Sequence, residues 1–423
     1  MNGSDQKGEG KKKVNEIKTF PVPFPLRENQ ENITIATNTS SKPSKEQIFN
    51  QAIKYHRQGN ISVAANHYKY FINQGFTDPV VFSNYGTILK SSGDLYDAES
   101  SYRKAIKLKP DFTDAHYNLG NVLHSLGKLN EAVISYRKTI ELKPNFTDAH
   151  YNLGNVLQSL GKLNEAVISY NKAIELKPNL TNAHLNLGTV LRNLGNLKDS
   201  EISTRKAIKF NPNLAEAYNN LGIILRNLGN LKESELSIHK SIKLNPNLAD
   251  AHNNLGIILR DLGNLKKSEI SHRKAIQINP DLAEAYVNIS YIQLLKGNYS
   301  SGFKNYEYRF KTKMPAIIHC KTNLPHTGEK LEPSEKLLVI AEQGLGDTLQ
   351  YMRYIPYLKN KGFDISFCAP KKLHSLIKSS AIDTNPLTPK KAIKVSVGKW
   401  IPLLSLPKNL KISPINPLIT KRY

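Results

Sequence analysis

"DAHYNLGNVLHSLGKLNEAVISYRKTIELKP", residues 114–144, returns almost unchanged as "DAHYNLGNVLQSLGKLNEAVISYNKAIELKP" at residues 148–178. The offset is 34 residues, and Pro110, Pro144, Pro178, Pro212, Pro246 and Pro280 mark it six times. A fixed period of this size describes a stack of similar supersecondary units, each burying its apolar face against its neighbours. Counting outward gives eight units that start near residues 43, 77, 111, 145, 179, 213, 247 and 281. The first and last diverge, as capping units do.

Each unit reads as two helices. In the third, Ala115, Leu119, Val122, Leu123 and Leu126 recur at helical spacing, Gly127 and Lys128 interrupt the pattern, and Ala132, Tyr136 and Ile140 form a second stripe before Pro144. A glycine stands inside every first helix from Gly86 to Gly256. It sacrifices roughly 1 kcal/mol of helix propensity relative to Ala. A close helix pair offsets that loss, with Ala98, Ala132, Ala166, Ser200, Ser234 and Ser268 expected opposite the glycines.

The order N-L-G, G at the inter-helix turn, A, Y and P at this period resembles the tetratricopeptide repeat over about 270 residues. The resemblance implies a right-handed superhelix of helix pairs whose first helices line a concave groove. It also implies protein or peptide ligands. The aromatic early in the first helix is often His (His116, His150, His184, His252), with Tyr218 and Tyr286 elsewhere. Zinc bound by His needs contacts of about 2.0–2.1 Å, whereas equivalent positions in neighbouring units stand roughly 8–10 Å apart. These histidines are therefore expected in packing or solvent-edge roles, and no metal or cofactor is expected.

Two residues later, Asn50, Asn84, Asn118, Asn152, Asn186, Asn220, Asn254 and Asn288 occupy one position in all eight units. An amide carries donor and acceptor, so such a row can bond the main chain of an extended peptide at every third residue, given about 3.3 Å per residue. Bonding to the neighbouring helix is the alternative use of the same amides. The row resembles the asparagine ladder of O-linked N-acetylglucosamine transferases, which implies peptide contact. Six residues further on, Lys90, His124, Gln158, Arg192, Arg226 and Arg260 make the later units basic. The three arginines suit acidic peptide side chains, Glu216, Asp250 and Glu284 of the chain itself, or simply a solvated face.

The period ends after residue 314, and residues 315–335 read as a linker. A strand follows at 336–341, then the loop "EQGLGD", a helix "TLQYMRYIPYLKNKG", a strand at 364–370, a helix "KKLHSLIKSS" and an irregular Pro-rich end. That order opens a β-α-β unit, in which Gly344, Gly346, Asp347 and Thr348 form a loop at a helix N-terminus suited to an anion. The loop is neither G-x-G-x-x-G nor a Walker motif, and its glycines equally suit a tight turn. Together with "GKWIPLLSLP" at 398–407, residues 336–423 resemble the start of a heptosyltransferase-like glycosyltransferase of GT-B fold, a Rossmann-like half. The arrangement is similar to repeat proteins of the marine-cyanobacterial type. That likeness implies Asp347 as general base toward an acceptor hydroxyl and a nucleotide-sugar donor held by a second half, which residues 348–423 are too few to supply. A peptide-binding scaffold with an incomplete transferase segment is thus the first reading, and glycosyl transfer the alternative.

Charge and composition bound the rest. The 423 residues carry 59 Lys+Arg against 35 Asp+Glu, a net +24. From Pro315 onward there are 17 basic and 7 acidic residues, and the remainder is spread through the repeats, a weak nucleic-acid signature. Two cysteines, Cys320 and Cys368, provide no disulfide framework or zinc spacing and fit a reducing, cytoplasmic setting. No apolar run approaches the ~20 residues of a spanning helix. Residues 1–42, rich in Pro, Ser, Thr, Asn and Lys, read as a disordered leader.

Overall fold

The computed structural model describes residues 43–318, 320–327, 331, 335–342 and 344–413, so the leader expected over residues 1–42 lies outside the described residues. The chain divides into two compact units, 1–178 and 179–423.

The first unit holds four helix pairs: α1 (Lys45–Arg57) with α2 (Ile61–Asn73), α3 (Pro79–Ser92) with α4 (Leu95–Leu108), α5 (Thr113–Ser125) with α6 (Leu129–Leu142), and α7 (Thr147–Ser159) with α8 (Leu163–Leu176). Its signals are local. Ser44 and Gln47 close a capping box on α1, and Asp78 accepts from the Val80 and Val81 N–H groups ahead of Pro79 at the start of α3. Gly127 takes φ +73° at the α5–α6 turn, the left-handed region that glycine favours.

The in-helix glycines are explained by packing. A Cβ on Gly120 would stand 2.7 Å from Tyr136 Cε1, and one on Gly154 would stand 2.6 Å from Tyr170 Cε1, each ring being fully buried. The obstructing residue lies four positions beyond the small Ala132 and Ala166, one helical turn along the same face. The Tyr136 hydroxyl then donates to Asn121 Oδ1 at 2.7 Å, so the buried ring has its polar end satisfied.

The second unit continues the pattern with α9 (Thr181–Asn193) and α10 (Leu197–Phe210), α11 (Ala215–Asn227) and α12 (Leu231–Leu244), α13 (Ala249–Asp261) and α14 (Leu265–Ile278), α15 (Ala283–Leu295) and α16 (Tyr299–Tyr306). Here serine replaces alanine at the small position, and each hydroxyl finds a carbonyl: Ser200 donates to Gly188 at 2.6 Å, Ser234 to Gly222 at 2.6 Å and Ser268 to Gly256 at 2.5 Å. A buried hydroxyl without such an acceptor would cost more than the alanine it replaces.

A 3-10 turn, Glu307–Phe310, leads out of the repeats toward a three-stranded parallel sheet in the order β2-β1-β3, with β1 (Lys336–Ile340), β2 (Asp364–Cys368) and β3 (Lys399–Pro402). β1 is apolar after Lys336 because it is central: Leu337 to Ile340 are all buried. Its register aligns Leu338 with Ser366 on one side and with Trp400 on the other. The core around it joins Val339, Ile355, Leu358, Phe367, Ile377 and Ile401.

Two expectations need correction here. The helix expected from Thr348 to Gly362 is two, α17 (Leu345–Tyr351) and α18 (Tyr354–Asn360), because Pro356 lacks the N–H that would bond to Met352 and is tolerated only in a helix's first turn. The Pro-rich end is not irregular throughout. It contains β3 and the short helices α20 (Pro389–Ala392) and α21 (Leu406–Asn409), while α19 (His374–Ser379) covers the expected final helix. The small sheet is parallel, and its three strands alone do not define a Rossmann-like fold. Residues preceding β1 pack on it: the Thr327 N–H donates to the Trp400 carbonyl at 2.9 Å and the Trp400 N–H to that of Pro325 at 3.0 Å. Cys320 and Cys368, far apart in sequence, share one buried cluster as free thiols. Among the described residues no helix is long and apolar enough to cross a membrane.

Candidate functional site

The asparagine row lies on the first helices, and each described bond uses its Nδ2 group to reach the preceding repeat. In the first unit, Asn84 donates to the Tyr68 hydroxyl at 3.2 Å, and Asn152 donates to Tyr117 at 3.2 Å and to Asn121 Oδ1 at 3.0 Å. In the second, Asn220 donates to Thr189 Oγ1 at 3.2 Å, Asn254 to Asn219 Oδ1 at 2.9 Å and Asn288 to Asn253 Oδ1 at 3.1 Å. The amide is thereby oriented by the protein. Asn84 is buried, while Asn118, Asn152, Asn186, Asn220, Asn254 and Asn288 are half-buried and Asn50 is exposed. In the five bonded residues no described partner uses Oδ1, so the acceptor end of the amide is left for another donor.

The supporting partners are what sequence reasoning missed. Asn219 and Asn253 are legible in hindsight as the first letter of "NNLG" at 219–222 and 253–256, where a second Asn precedes the ladder Asn. Tyr117 and Thr189 carry no such mark.

The basic row is divided by its pairing. Arg226 Nε donates to Asp261 Oδ2 at 2.6 Å, and Arg260 Nη2 reaches Asp261 Oδ1 at 3.2 Å. Asp261 is therefore the acid that meets them, and Glu216, Asp250 and Glu284 are not: Glu284 instead accepts from the Lys313 N–H at 2.8 Å. Asp261 stands where the preceding units have Asn227 and Asn193, and that acid-for-amide exchange was the available signal. Arg192 is half-buried, has no hydrogen bond or ion pair among the described residues, and burial lowers its pKa. It is a partly dehydrated cation with no charge partner among the described residues. In the first unit, burial likewise lowers Lys90 and His124 at the equivalent positions.

The histidines serve the array. His116 Nε2 bonds the Pro110 carbonyl at 2.9 Å, His150 that of Pro144 at 2.9 Å and His252 that of Pro246 at 3.0 Å. Each thus ties down the proline-terminated end of the previous unit. Among the described residues no group of three His, Cys, Asp or Glu is arranged to hold a metal ion.

The loop after β1 is anchored at its start. Glu342 is fully buried and accepts two bonds from Arg309, at 3.0 and 2.8 Å, and a third from the Leu404 N–H at 3.0 Å. Thr348 is also buried and donates back to the Gly344 carbonyl at 3.2 Å, so it belongs to the turn. Asp347 is half-buried and has no described hydrogen bond or ion pair. Gly344 caps α17 in extended backbone at φ −83°, and a Cβ on Gly344 or Gly346 would meet nothing closer than Asp347 Oδ2 at 3.9 Å. The fold requires glycine at neither position.

A family profile described as "TPR repeat" matches residues 86–127, 120–161 and 154–195, and profiles described as "Tetratricopeptide repeat" match 181–214, 204–235 and 249–282. No curated protein matches the chain. Similar solved structures include YrrB, a TPR protein with an unusual peptide-binding site, at 30% identity over 44% of this chain and 95% of that one, with a TM-score of 0.38. A tetratricopeptide repeat protein from Parabacteroides merdae is 17% identical over 59% of this chain and 98% of its own, with a TM-score of 0.45. Cut9 in its complex with Hcn1 is 15% identical over 63% of this chain and 53% of that one, with a TM-score of 0.45.

Proposed function

This chain belongs to the tetratricopeptide repeat proteins, and from that premise we propose that it is a protein-interaction scaffold whose first helices hold extended peptide segments with acidic side chains. The carrying observation is that the ladder amides are tied back through Nδ2 and keep Oδ1 for a visitor. In the second unit, Asn220, Asn254 and Asn288, one repeat apart, would accept from peptide N–H groups about three residues apart. Arg192, an unbalanced cation six residues beyond Asn186 on α9, would take an acidic side chain. Arg226 and Arg260 share one carboxylate, leaving donors of both guanidinium groups for a second. Asn84, Asn118 and Asn152 would offer a sequence-tolerant row in the first unit. Free thiols at Cys320 and Cys368 suit a reducing, cytoplasmic setting. The test is an array of extended peptides, acidic and neutral, probed with the full chain: selective retention of acidic members supports the reading, and uniform or absent retention refutes it.

A second reading is glycosyl transfer from a nucleotide-sugar to an acceptor chosen by the repeats, with Asp347 as base. One observation favours it: Gly344 and Gly346 are open positions that the fold does not require to be glycine, beside a half-buried Asp347 with no described partner. Thermal shift of the chain with a panel of nucleotide-sugars, and with Asp347→Ala as control, tests it. No shift with any donor removes this reading.

A further inference from the structure

The outer ridge of the second helices carries a pattern that the groove does not use. Ile134 and Ile168 in the first unit, and Ile202, Leu236 and Ile270 in the second, stand one period apart and are 55–70% exposed. Single exposed aliphatics are ordinary, but the same exposed position kept aliphatic in five successive repeats is not scatter.

What surrounds them differs between the units. On α6 and α8 the following lysines, Lys138 and Lys172, are consumed by Glu141 at 2.5 Å and Glu175 at 2.7 Å. The formal charges of α6 and α8 are 0 and −1, whereas α10, α12 and α14 carry +2, +1 and +3. In the second unit each aliphatic is bracketed by an exposed lysine one turn before, Lys198, Lys232 or Lys266, and one turn after, Lys206, Lys240 or Lys274. None of these six forms an ion pair among the described residues. The ridge of α10, α12 and α14 is thus a threefold repeat of lysine, aliphatic, lysine.

We propose that this ridge docks the chain on an anionic lipid bilayer surface, the aliphatics entering the headgroup boundary and the lysines meeting lipid phosphates. The charge is complementary, and apolar tips flanked by cations match how peripheral helices bind such surfaces. Lysine stems are apolar and its ammonium is a compact point charge, which suits a fluid array of headgroups. A protein partner would more typically be met by aromatic and arginine anchors, and single-stranded nucleic acid by stacking platforms. The ridge offers Ile and Leu instead. The inference does not depend on the groove reading, because it uses the other helix of each pair.

The test is flotation of the full chain with vesicles of phosphatidylcholine alone and of phosphatidylcholine mixed with phosphatidylglycerol. Binding is expected only to the mixed vesicles, falling as salt is raised. The triple change Ile202→Ser, Leu236→Ser, Ile270→Ser is expected to weaken it by about tenfold or more. Lys198→Gln, Lys232→Gln and Lys266→Gln together should reduce it by about fivefold for each lysine lost. Ile134→Ser with Ile168→Ser should leave it unchanged. All these side chains are exposed or mostly so, and a thermal melt of each variant checks that the fold is retained. Absence of binding, equal binding to neutral vesicles, or an unaltered serine triple overturns the proposal. So does stronger capture by poly-glutamate or RNA that ignores the aliphatics, which would reassign the ridge to a non-lipid polyanion.

Discussion

Arg309 grips Glu342 with two parallel bonds, Nε to Oε2 at 3.0 Å and Nη2 to Oε1 at 2.8 Å, where the side chains are 4% and 0% exposed. Glu307 and Ser405 complete the cluster, at 2.7 and 2.9 Å from the guanidinium. The pair joins the turn that ends the repeats to the loop that follows β1.

Removing one partner leaves a buried charge alone, so Arg309→Met or Glu342→Leu singly should cost about 3–5 kcal/mol, and the double replacement less than the sum. The only tryptophan, Trp400, lies in β3 and reports this segment. Urea denaturation followed by its fluorescence should shift with the single changes. Far-ultraviolet circular dichroism, dominated by the repeats, should shift less.

His272 occupies the position held by Tyr68, Tyr102, Tyr136 and Tyr170, and it is fully buried, with Nδ1 bonded to Asn253 Oδ1 at 2.9 Å and Nε2 unpaired. Burial, and then the charge of Arg260, push its pKa down to about 4. The folded value lies below the unfolded one of about 6.5, so its contribution is present above that pH and is lost as pH falls through 4. The loss is bounded at about 3 kcal/mol. Melting temperatures from pH 7 to 4 should fall more steeply for the parent chain than for His272→Tyr.

The glycines should rank by clearance. An added Cβ would stand 2.6 Å from the Tyr170 ring at Gly154 but 3.1 Å from the Tyr102 ring at Gly86. The Gly154→Ala change should destabilise by about 1–3 kcal/mol through overpacking. For Gly86→Ala, strain and the roughly 1 kcal/mol gain in helix propensity should nearly cancel. Paired denaturation curves check the order.

Arg192 should behave oppositely in stability and binding. Because it is partly dehydrated and unbalanced, Arg192→Met should hold or raise the melting temperature of the free chain. The same change should weaken an acidic peptide by about tenfold or more, the value of a lost charged hydrogen bond. Arg226→Met, which removes the shorter of the two ion pairs of Asp261 and leaves only that to Arg260, should lower the melting temperature slightly.

Much of this architecture was legible because its causes are local. The 34-residue period, the turn glycines and the prolines place sixteen helices without long-range information. β1 was legible as a short apolar run, and β2 as the strand that completes the β-α-β order. β3 was not: "KWIP" has no alternation, and it is a strand because β1 lies beside it. The ladder positions could be read from periodicity, but their orientation depends on Tyr117, Thr189, Asn219 and Asn253, whose meeting with the ladder is a tertiary fact. Asp261 was marked by its acid-for-amide exchange, but its pairing was hidden, since Arg226 is 35 residues away along the chain.

The most direct measurement is calorimetric titration of the full chain with an acidic extended peptide and with the same peptide N-methylated at every third backbone amide. If the Oδ1 atoms of Asn220, Asn254 and Asn288 accept from the peptide main chain, methylation in the matching register should abolish saturable binding. Methylation in the other two registers should spare it. Equal affinity for the parent peptide and all three methylated forms would contradict the account, because the asparagine row would then serve only to join one repeat to the next.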